Sequence, residues 1–273
     1  MRTRFAPSPT GWLHLGHAHA ARIAFDFAKK NNGECYLRIE DTDHTRCTTD
    51  YTRAIYADLD WLGFDWPLPV RVQSQHYHDY AKVVTELIER DLAYPCHLTR
   101  SDIKKGQIPT STNFDKDAIL QILLESSKGE KPFLPFAIRL NLSKAMASLS
   151  NTTLTFEDNG QNYKGIHDAT GFLKDRLDPV IARKDIGCAY MIAGPYDDAL
   201  QGISHVVRGE DLFPETPLQI LIQSLMDWPS PLYHHHGLIL AETGEKLSKR
   251  NLDTALKSLK EAGQTPDNIW MMM

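Results

Sequence analysis

Apolar positions along the chain change period several times, and each change predicts an element. Thr3–Ala6 is short and β-forming, and Pro7 and Pro9 stop it, which predicts a strand running into a rigid turn. From Leu15 the spacing becomes helical, through Leu15, Ala18, Arg22, Phe25, Phe27 and Ala28, until Asn31-Asn32-Gly33 closes it. Cys35–Glu40 predicts a second strand. Thr48 or Thr49 caps a helix carrying Tyr51, Ile55, Leu59 and Leu62, which stops at Gly63. A short strand at Val70–Gln73 and a helix at Tyr77–Asp91, with Val83, Val84, Leu87 and Ile88 on one face, follow. Strands alternating with helices at this spacing imply a parallel sheet with crossover helices.

The middle of the chain reads differently. Ser101–Pro135 is polar and broken by Gly106 and Pro109, with one helical stretch at Phe114–Ser126. Phe136–Leu142 and Thr152–Glu157 alternate like antiparallel strands. Strand-like runs return at Val180–Arg183, Ala189–Ile192 and His205–Arg208, followed by a helix at Thr216–Met226 and a last helical segment at Leu252–Ala262. The expected organisation is a sheet domain in two halves, 1–93 and 179–240, an α+β insertion at 94–178, and a basic loop with a C-terminal helix at 241–273.

Composition adds bounds rather than identity. The 273 residues, 42% hydrophobic and 24% charged, describe a globular chain and exclude a disordered, collagenous or coiled-coil one. No apolar run is long enough for a membrane span or a signal segment, so a cytoplasmic protein with no membrane partner is expected. Cysteines at 35, 47, 96 and 188 form no C-x-x-C pair and read as reduced thiols. A net charge of −5 means that any nucleic-acid partner must meet a local basic patch.

Two stretches carry candidate chemistry. Pro7 to His17 lies between the first strand and the first helix, where open α/β sheets bind ligands and where helix N–H groups favour phosphate. His14 and His17, three residues apart, can both donate to phosphate oxygens, and Gly16 lets a flat ring approach the backbone. Lys246-Leu247-Ser248-Lys249-Arg250 places three cations in five residues, which suits a polyphosphate whose charge grows as pyrophosphate departs. His234-His235-His236 invites a metal reading, but in a strand the outer two face one way and the middle one the other. A structural or nucleotide-adjacent role fits them better, and no metal site is assigned. Asp41 and Asp43 have too few companions for one.

A His-x-Gly-His near the start and a Lys-x-Ser-Lys near the end of a split α/β domain resemble the two signatures of class I aminoacyl-tRNA synthetases. Arg4-Phe5-Ala6-Pro7-Ser8-Pro9-Thr10-Gly11, Leu37 to Asp43, Arg183-Lys184-Asp185 and the stretch from Asp197-Asp198 to Leu212 resemble the glutamyl subgroup, across residues 4 to 251. The resemblance implies a Rossmann-like catalytic domain with an insertion of the tRNA-contacting kind. It implies a ligase that joins L-glutamate to ATP, with Mg2+ accompanying the nucleotide, and then passes the glutamyl group to tRNA. Residue by residue it assigns L-glutamate to Arg4, Phe5, Ala6, Pro7, Ser8, Glu40, Tyr190 and Arg208, with the two guanidiniums on carboxylates and Glu40 on the ammonium. It assigns ATP to His14, Gly16, His17 and Lys249, and catalysis to His14, His17, Lys246 and Lys249.

Three departures refine the resemblance. Only 23 residues follow Arg250, too few for the anticodon-reading domain of full-length relatives, which resembles the short glutamyl-queuosine tRNA(Asp) synthetases. That points to tRNA(Asp) as partner and to a monomer, with a truncated glutamyl-tRNA synthetase charging tRNA(Glu) as the alternative. Second, the cysteine pair of many relatives is reduced to Cys96, with Leu98 two residues on, so no structural zinc is expected. Third, His17 stands where the subgroup commonly has a small residue, and should tighten a phosphate contact.

Overall fold

The computed structural model describes residues 1–111, 113–129, 131–150, 153–174, 176–239 and 255–273, with the Arg100 side chain outside that description. The first third follows the predicted alternation: β1 (Arg2–Phe5), α1 (Leu15–Lys30), β2 (Glu34–Ile39), α2 (Thr49–Trp61), β3 (Arg71–Val72) and α3 (Tyr77–Glu89). Both pairings, β1 with β2 and β2 with β3, are parallel. Thr48 is the cap of α2, its hydroxyl accepting from Tyr51 N–H (3.3 Å).

The middle builds β4 (Ala93–Cys96), α4 (Arg100–Lys104), α5 (Lys116–Ser126), β5 (Ala137–Leu140), α6 (Leu142–Ala147), β6 (Thr155–Asp158), β7 (Gly165–Asp168), α7 (Ala169–Leu173) and β8 (Val180–Ala182). The chain then forms α8 (Tyr190–Leu200), β9 (His205–Gly209), α9 (Thr216–Leu225), β10 (Leu232–His236), α10 (Leu256–Glu261) and α11 (Pro266–Met271). Strands β4, β5 and β8 make an antiparallel sheet. Strand β10 pairs in parallel with β9 on one side and β6 on the other, and β7 closes that edge antiparallel to β6. Ser204 N–H donates to the Arg2 carbonyl (3.0 Å), which sets β9 beside β1. The sheets β3-β2-β1 and β9-β10-β6-β7 thus meet at β1 and β9, where the order of the strands reverses, and the fold is α/β and Rossmann-like.

Two expectations change. Ala189–Ile192 is not a strand: Ala189 is the residue before α8, and Tyr190 opens the helix. Its short apolar run and Pro195 imitate a buried strand, and the helix stands because Ile192, Ala193, Gly194 and Pro195 are all buried in the core. Thr152–Glu157 is a strand, but it spans 155–158 and joins the parallel array through Tyr233 opposite Asp158, besides pairing antiparallel with β7. Strand pairing therefore ties the 94–178 segment to the chain that follows it twice, through β6 with β10 and through β5 with β8.

The core has two parts. Phe5, Leu13, Leu37, Ile55 and Leu59 pack under α1 and α2 with Leu256 and Ile269 of the last two helices. Tyr80, Leu87, Ile138, Ile181, Ile192 and Leu221 fill the other half. Burial on this scale supplies about 1.5–3 kcal/mol per large apolar side chain, which is what holds the polar strand ends described next in place. Among the described residues no helix is long and apolar enough to cross a membrane.

Candidate active site

A cavity of about 710 Å³ opens where β1, β9 and β10 end and α1 begins. That is the switch point of the sheet, outside the carboxyl ends of its strands. Arg4, Phe5, Ala6, Pro7, Ser8, His14, Gly16, His17, Glu40, Tyr190 and Arg208 all line it. Every residue the sequence assigned to glutamate, and three of the four assigned to ATP, thus share one wall system. Lys246 and Lys249 lie outside the described residues. The chain is described again from Ala255, which bridges to His14, and Leu256 N–H donates to the Leu13 carbonyl (2.8 Å).

On the cavity wall two histidines cap α1. His14 Nδ1 accepts from Gly16 N–H (3.1 Å), and His17 Nδ1 accepts from His14 N–H (3.2 Å). With Nδ1 accepting, the hydrogen of each neutral ring sits on Nε2, and both rings present an N–H donor. The rings lie 3.9 Å apart by centroid. A Cβ at Gly16 would lie 3.0 Å from His14 Cε1, so a side chain there would press the capping ring aside.

Arg4 and Glu40 rest on buried charge. Arg4 Nε donates to Asp198 Oδ1 (3.0 Å), and Arg38 Nη1 donates to the same oxygen (2.8 Å). Arg38 Nη2 donates to Glu40 Oε1 (3.2 Å). Asp197, one residue along α8, accepts from Arg71 Nε (2.5 Å), Gln73 Nε2 (2.9 Å) and Tyr80 OH (2.9 Å). Burial would raise the Asp198 carboxyl, but Arg4 and Arg38 outweigh it and hold the group below the ordinary carboxylate range. Glu40 goes the other way: burial pushes its carboxyl up, against the pull of Arg38 and Arg4. A cation placed beside Glu40 would relieve that cost.

Arg208 differs from Arg4. Its five N–H groups meet His235 Nε2 (3.0 Å), Tyr190 OH (3.2 Å), Gln219 Oε1 (2.8 Å), Leu212 O (3.3 Å) and Thr216 Oγ1 (2.6 Å), and its plane lies over the Tyr233 ring. All of these are neutral. Among the described residues no carboxylate pairs with this buried cation. A desolvated guanidinium without a counter-ion, on the wall of a cavity, is a site for an anion.

Other motif residues hold structure. Asp41 accepts from Ser74 N–H and OH (2.8 and 2.7 Å), while Asp43 takes Thr45, Arg46 and Arg183. Among the described residues no group of three His, Cys, Asp or Glu is placed to hold a metal ion. The three consecutive histidines divide as their strand demands. His235 turns inward to Asp158 and Arg208, while His234 faces Phe27 and His236 faces His19, both on α1.

Sequence reading missed Arg38 and Asp158, the supports behind the pocket residues. It also missed His19, Asp211 and Leu238, which line the cavity. Leu238 had a signal, the apolar run after the histidines; Asp158 had none, because its partner His235 is 77 residues away.

This arrangement gathers buried guanidiniums, a largely buried carboxyl and two capping histidines around one cavity of a Rossmann-like sheet, and comparison with known proteins gives the class. Residues 1–273 match the family described as tRNA synthetases class I (E and Q), catalytic domain, and the chain belongs to that family of ligases. It is 37% identical to Glutamyl-Q tRNA(Asp) synthetase of Rhodobacter capsulatus, over 98% of this chain and 98% of that one. It is 38% identical to Glutamate--tRNA ligase of Aquifex aeolicus over 99% of this chain, which spans 56% of that enzyme. The crystal structure of a glutamate tRNA ligase from Elizabethkingia meningosepticum, in complex with its amino acid, superposes with a TM-score of 0.68 at 29% identity, covering 93% of this chain and 52% of that one.

Proposed function

We propose that this chain activates L-glutamate with ATP and transfers the glutamyl group to the queuosine base in the anticodon of tRNA(Asp). The observation that carries the first half is the buried, carboxylate-free Arg208 facing the same cavity as Arg4, Glu40 and the two capping histidines. Arg208 and Arg4 take the two carboxylates of glutamate, and Glu40 takes its ammonium, with Tyr190 and Ser8 beside them. His14 and His17 donate from Nε2 to phosphate oxygens, Gly16 admits the nucleotide, and Lys246 and Lys249 hold the departing pyrophosphate. Mg2+ enters this reading as the ion that travels with ATP, and structural zinc has no part in it.

The chemistry needs no protein nucleophile. An oxygen of the glutamate α-carboxylate attacks the α-phosphorus of ATP, the bond to the bridging oxygen breaks, and pyrophosphate leaves with the electron pair. The enzyme contributes alignment and preorganised donors. A hydroxyl of the queuosine cyclopentenediol then attacks the glutamyl carbonyl, AMP leaves, and the hydroxyl proton is lost. Exposed Lys104 and Lys105, at the end of α4, supply local positive charge for RNA in a chain of net charge −5, and transfer should weaken as salt rises.

Glutamate should be preferred over glutamine in ATP–pyrophosphate exchange by about 1–3 kcal/mol, because a neutral amide leaves a buried guanidinium short of its counter-ion. Equal exchange with both amino acids would show the pocket is misread. The likeness to the Rhodobacter protein over nearly the whole of both chains supports the queuosine acceptor. The likeness to the Aquifex ligase supports the second reading, charging of tRNA(Glu) at its 3′ end. Labelled glutamate offered to tRNA(Asp) with and without queuosine, and to tRNA(Glu), separates them. Label on queuosine-containing tRNA(Asp), abolished by periodate treatment of its diol, is the expected result. Label only on tRNA(Glu) would transfer the assignment to the second reading.

A further inference from the structure

Arg208 is held from behind by residues that touch no part of the cavity. Asp158, the last residue of β6, is fully buried, and its Oδ1 accepts from Gly160 N–H (2.7 Å) and His235 N–H (3.3 Å). Its Oδ2 pairs with His235 Nδ1. Burial would raise this carboxyl, but the His235 and Gly160 N–H groups hold it below the ordinary range. An ionised carboxylate only accepts, so the hydrogen of the pair belongs to His235 Nδ1. Burial, first of all, keeps the His235 ring neutral. A neutral ring with its hydrogen on Nδ1 offers a lone pair at Nε2, and Arg208 Nε donates to it at 3.0 Å. The backbone is shaped for this contact: a Cβ on Gly160 would lie 2.1 Å from the His235 carbonyl oxygen, so only glycine lets the loop after β6 close against β10.

We propose that Asp158 and His235 are positioning residues for the amino-acid substrate: Asp158 fixes the tautomer of His235, and His235 sets the plane in which the Arg208 guanidinium meets a substrate carboxylate. Loss of the Asp158 charge lets the ring hydrogen move to Nε2, where it opposes the Arg208 Nε–H, donor against donor. The guanidinium then turns, and its Nη groups leave Gln219 and Thr216. The proposal rests on the reading of Arg208 as the carboxylate ligand, and it extends the pocket's supports into β6.

Glutamate-dependent ATP–pyrophosphate exchange on the full chain tests it, with KM for glutamate and for ATP measured separately in the wild type, Asp158→Asn, His235→Phe and His235→Gln. Asp158→Asn and His235→Phe should raise KM for glutamate by about tenfold or more, the scale of a lost hydrogen bond to a charged group, with KM for ATP little changed. His235→Gln, whose Oε1 can replace the ring nitrogen as acceptor, should recover most of that loss. A folded His235→Phe with unchanged KM for glutamate would overturn the proposal, as would a His235→Gln no better than phenylalanine. If His235→Phe does not fold, near-isosteric Asp158→Asn decides by the same KM split. Wild-type chain without glutamate-dependent exchange would overturn the glutamate reading and this proposal with it, whereas active wild type with unaltered variants overturns the positioning role alone.

Discussion

Replacing Arg208 by alanine should lower kcat/KM for glutamate in ATP–pyrophosphate exchange by roughly two to four orders of magnitude, about 3–5 kcal/mol. The argument begins with burial. Arg208 is 5% exposed, and the groups around it, Gln219, Thr216, Tyr190, His235 and the Leu212 carbonyl, saturate its N–H groups without neutralising its charge. A substrate carboxylate arriving there meets a fixed, desolvated cation and shares its N–H groups with neutral acceptors that cannot compete for the charge, so the interaction exceeds a surface ion pair. Alanine removes the charge and strands the acceptors that held it. Lysine should not rescue the loss, since an ammonium cannot satisfy a planar fork of acceptors. KM for ATP should change little, because the histidines proposed to meet the phosphates belong to the N-terminus of α1 and are not among the hydrogen-bond partners of Arg208. Exchange close to wild type in a folded Arg208→Ala would remove this residue from the site.

The second large effect is on stability. Asp198→Ala should cost about 3–5 kcal/mol and lower Tm by about 6–20 °C, read by thermal unfolding. Asp198 Oδ1 accepts from both Arg4 and Arg38, and Arg38 is fully buried while Arg4 is nearly so. With Glu40 and Asp197 it balances Arg4, Arg38 and Arg71 in one buried cluster. Removing one carboxylate leaves an uncompensated guanidinium inside the protein, and the cost is that of the stranded charge rather than of the lost contact. Asp198→Asn should be milder, because an amide oxygen still accepts. A Tm within about 2 °C of wild type for Asp198→Ala would mean that the cluster is wetter than its burial implies. Arg4 depends on the same oxygen, so glutamate activation should fall together with stability.

The two effects show why the pocket residues were legible and their supports were not. Arg4, Glu40, Tyr190 and Arg208 stand in stretches whose residue types and order resemble a known subgroup, so their gathering on one cavity could be expected before any fold was seen. Arg38 sits in β2 two residues before Glu40, which follows the strand, and nothing in its neighbours says that it is fully buried against α8. Tyr190 was assigned to the pocket but placed on the wrong element, because a short apolar run before a proline has the same pattern in a buried strand and in a buried helix.

Local chemistry along the chain by itself determined the strand–helix alternation of the first third, a threonine cap for α2 at position 48 or 49, the turn between β1 and α1, and the opposed faces of the three histidines; the structure selected Thr48. These depend on periodicity, capping and turn residues, which act over a few positions. Tertiary structure alone decided that β9 lies beside β1, that β6 joins the parallel array and that Asp158 reaches His235. It also decided that Arg208 would be buried with neutral partners while Arg4 shares a carboxylate with Arg38. Those outcomes depend on contacts that only the folded chain brings together, and no local pattern encodes which distant side chain will share a buried carboxylate.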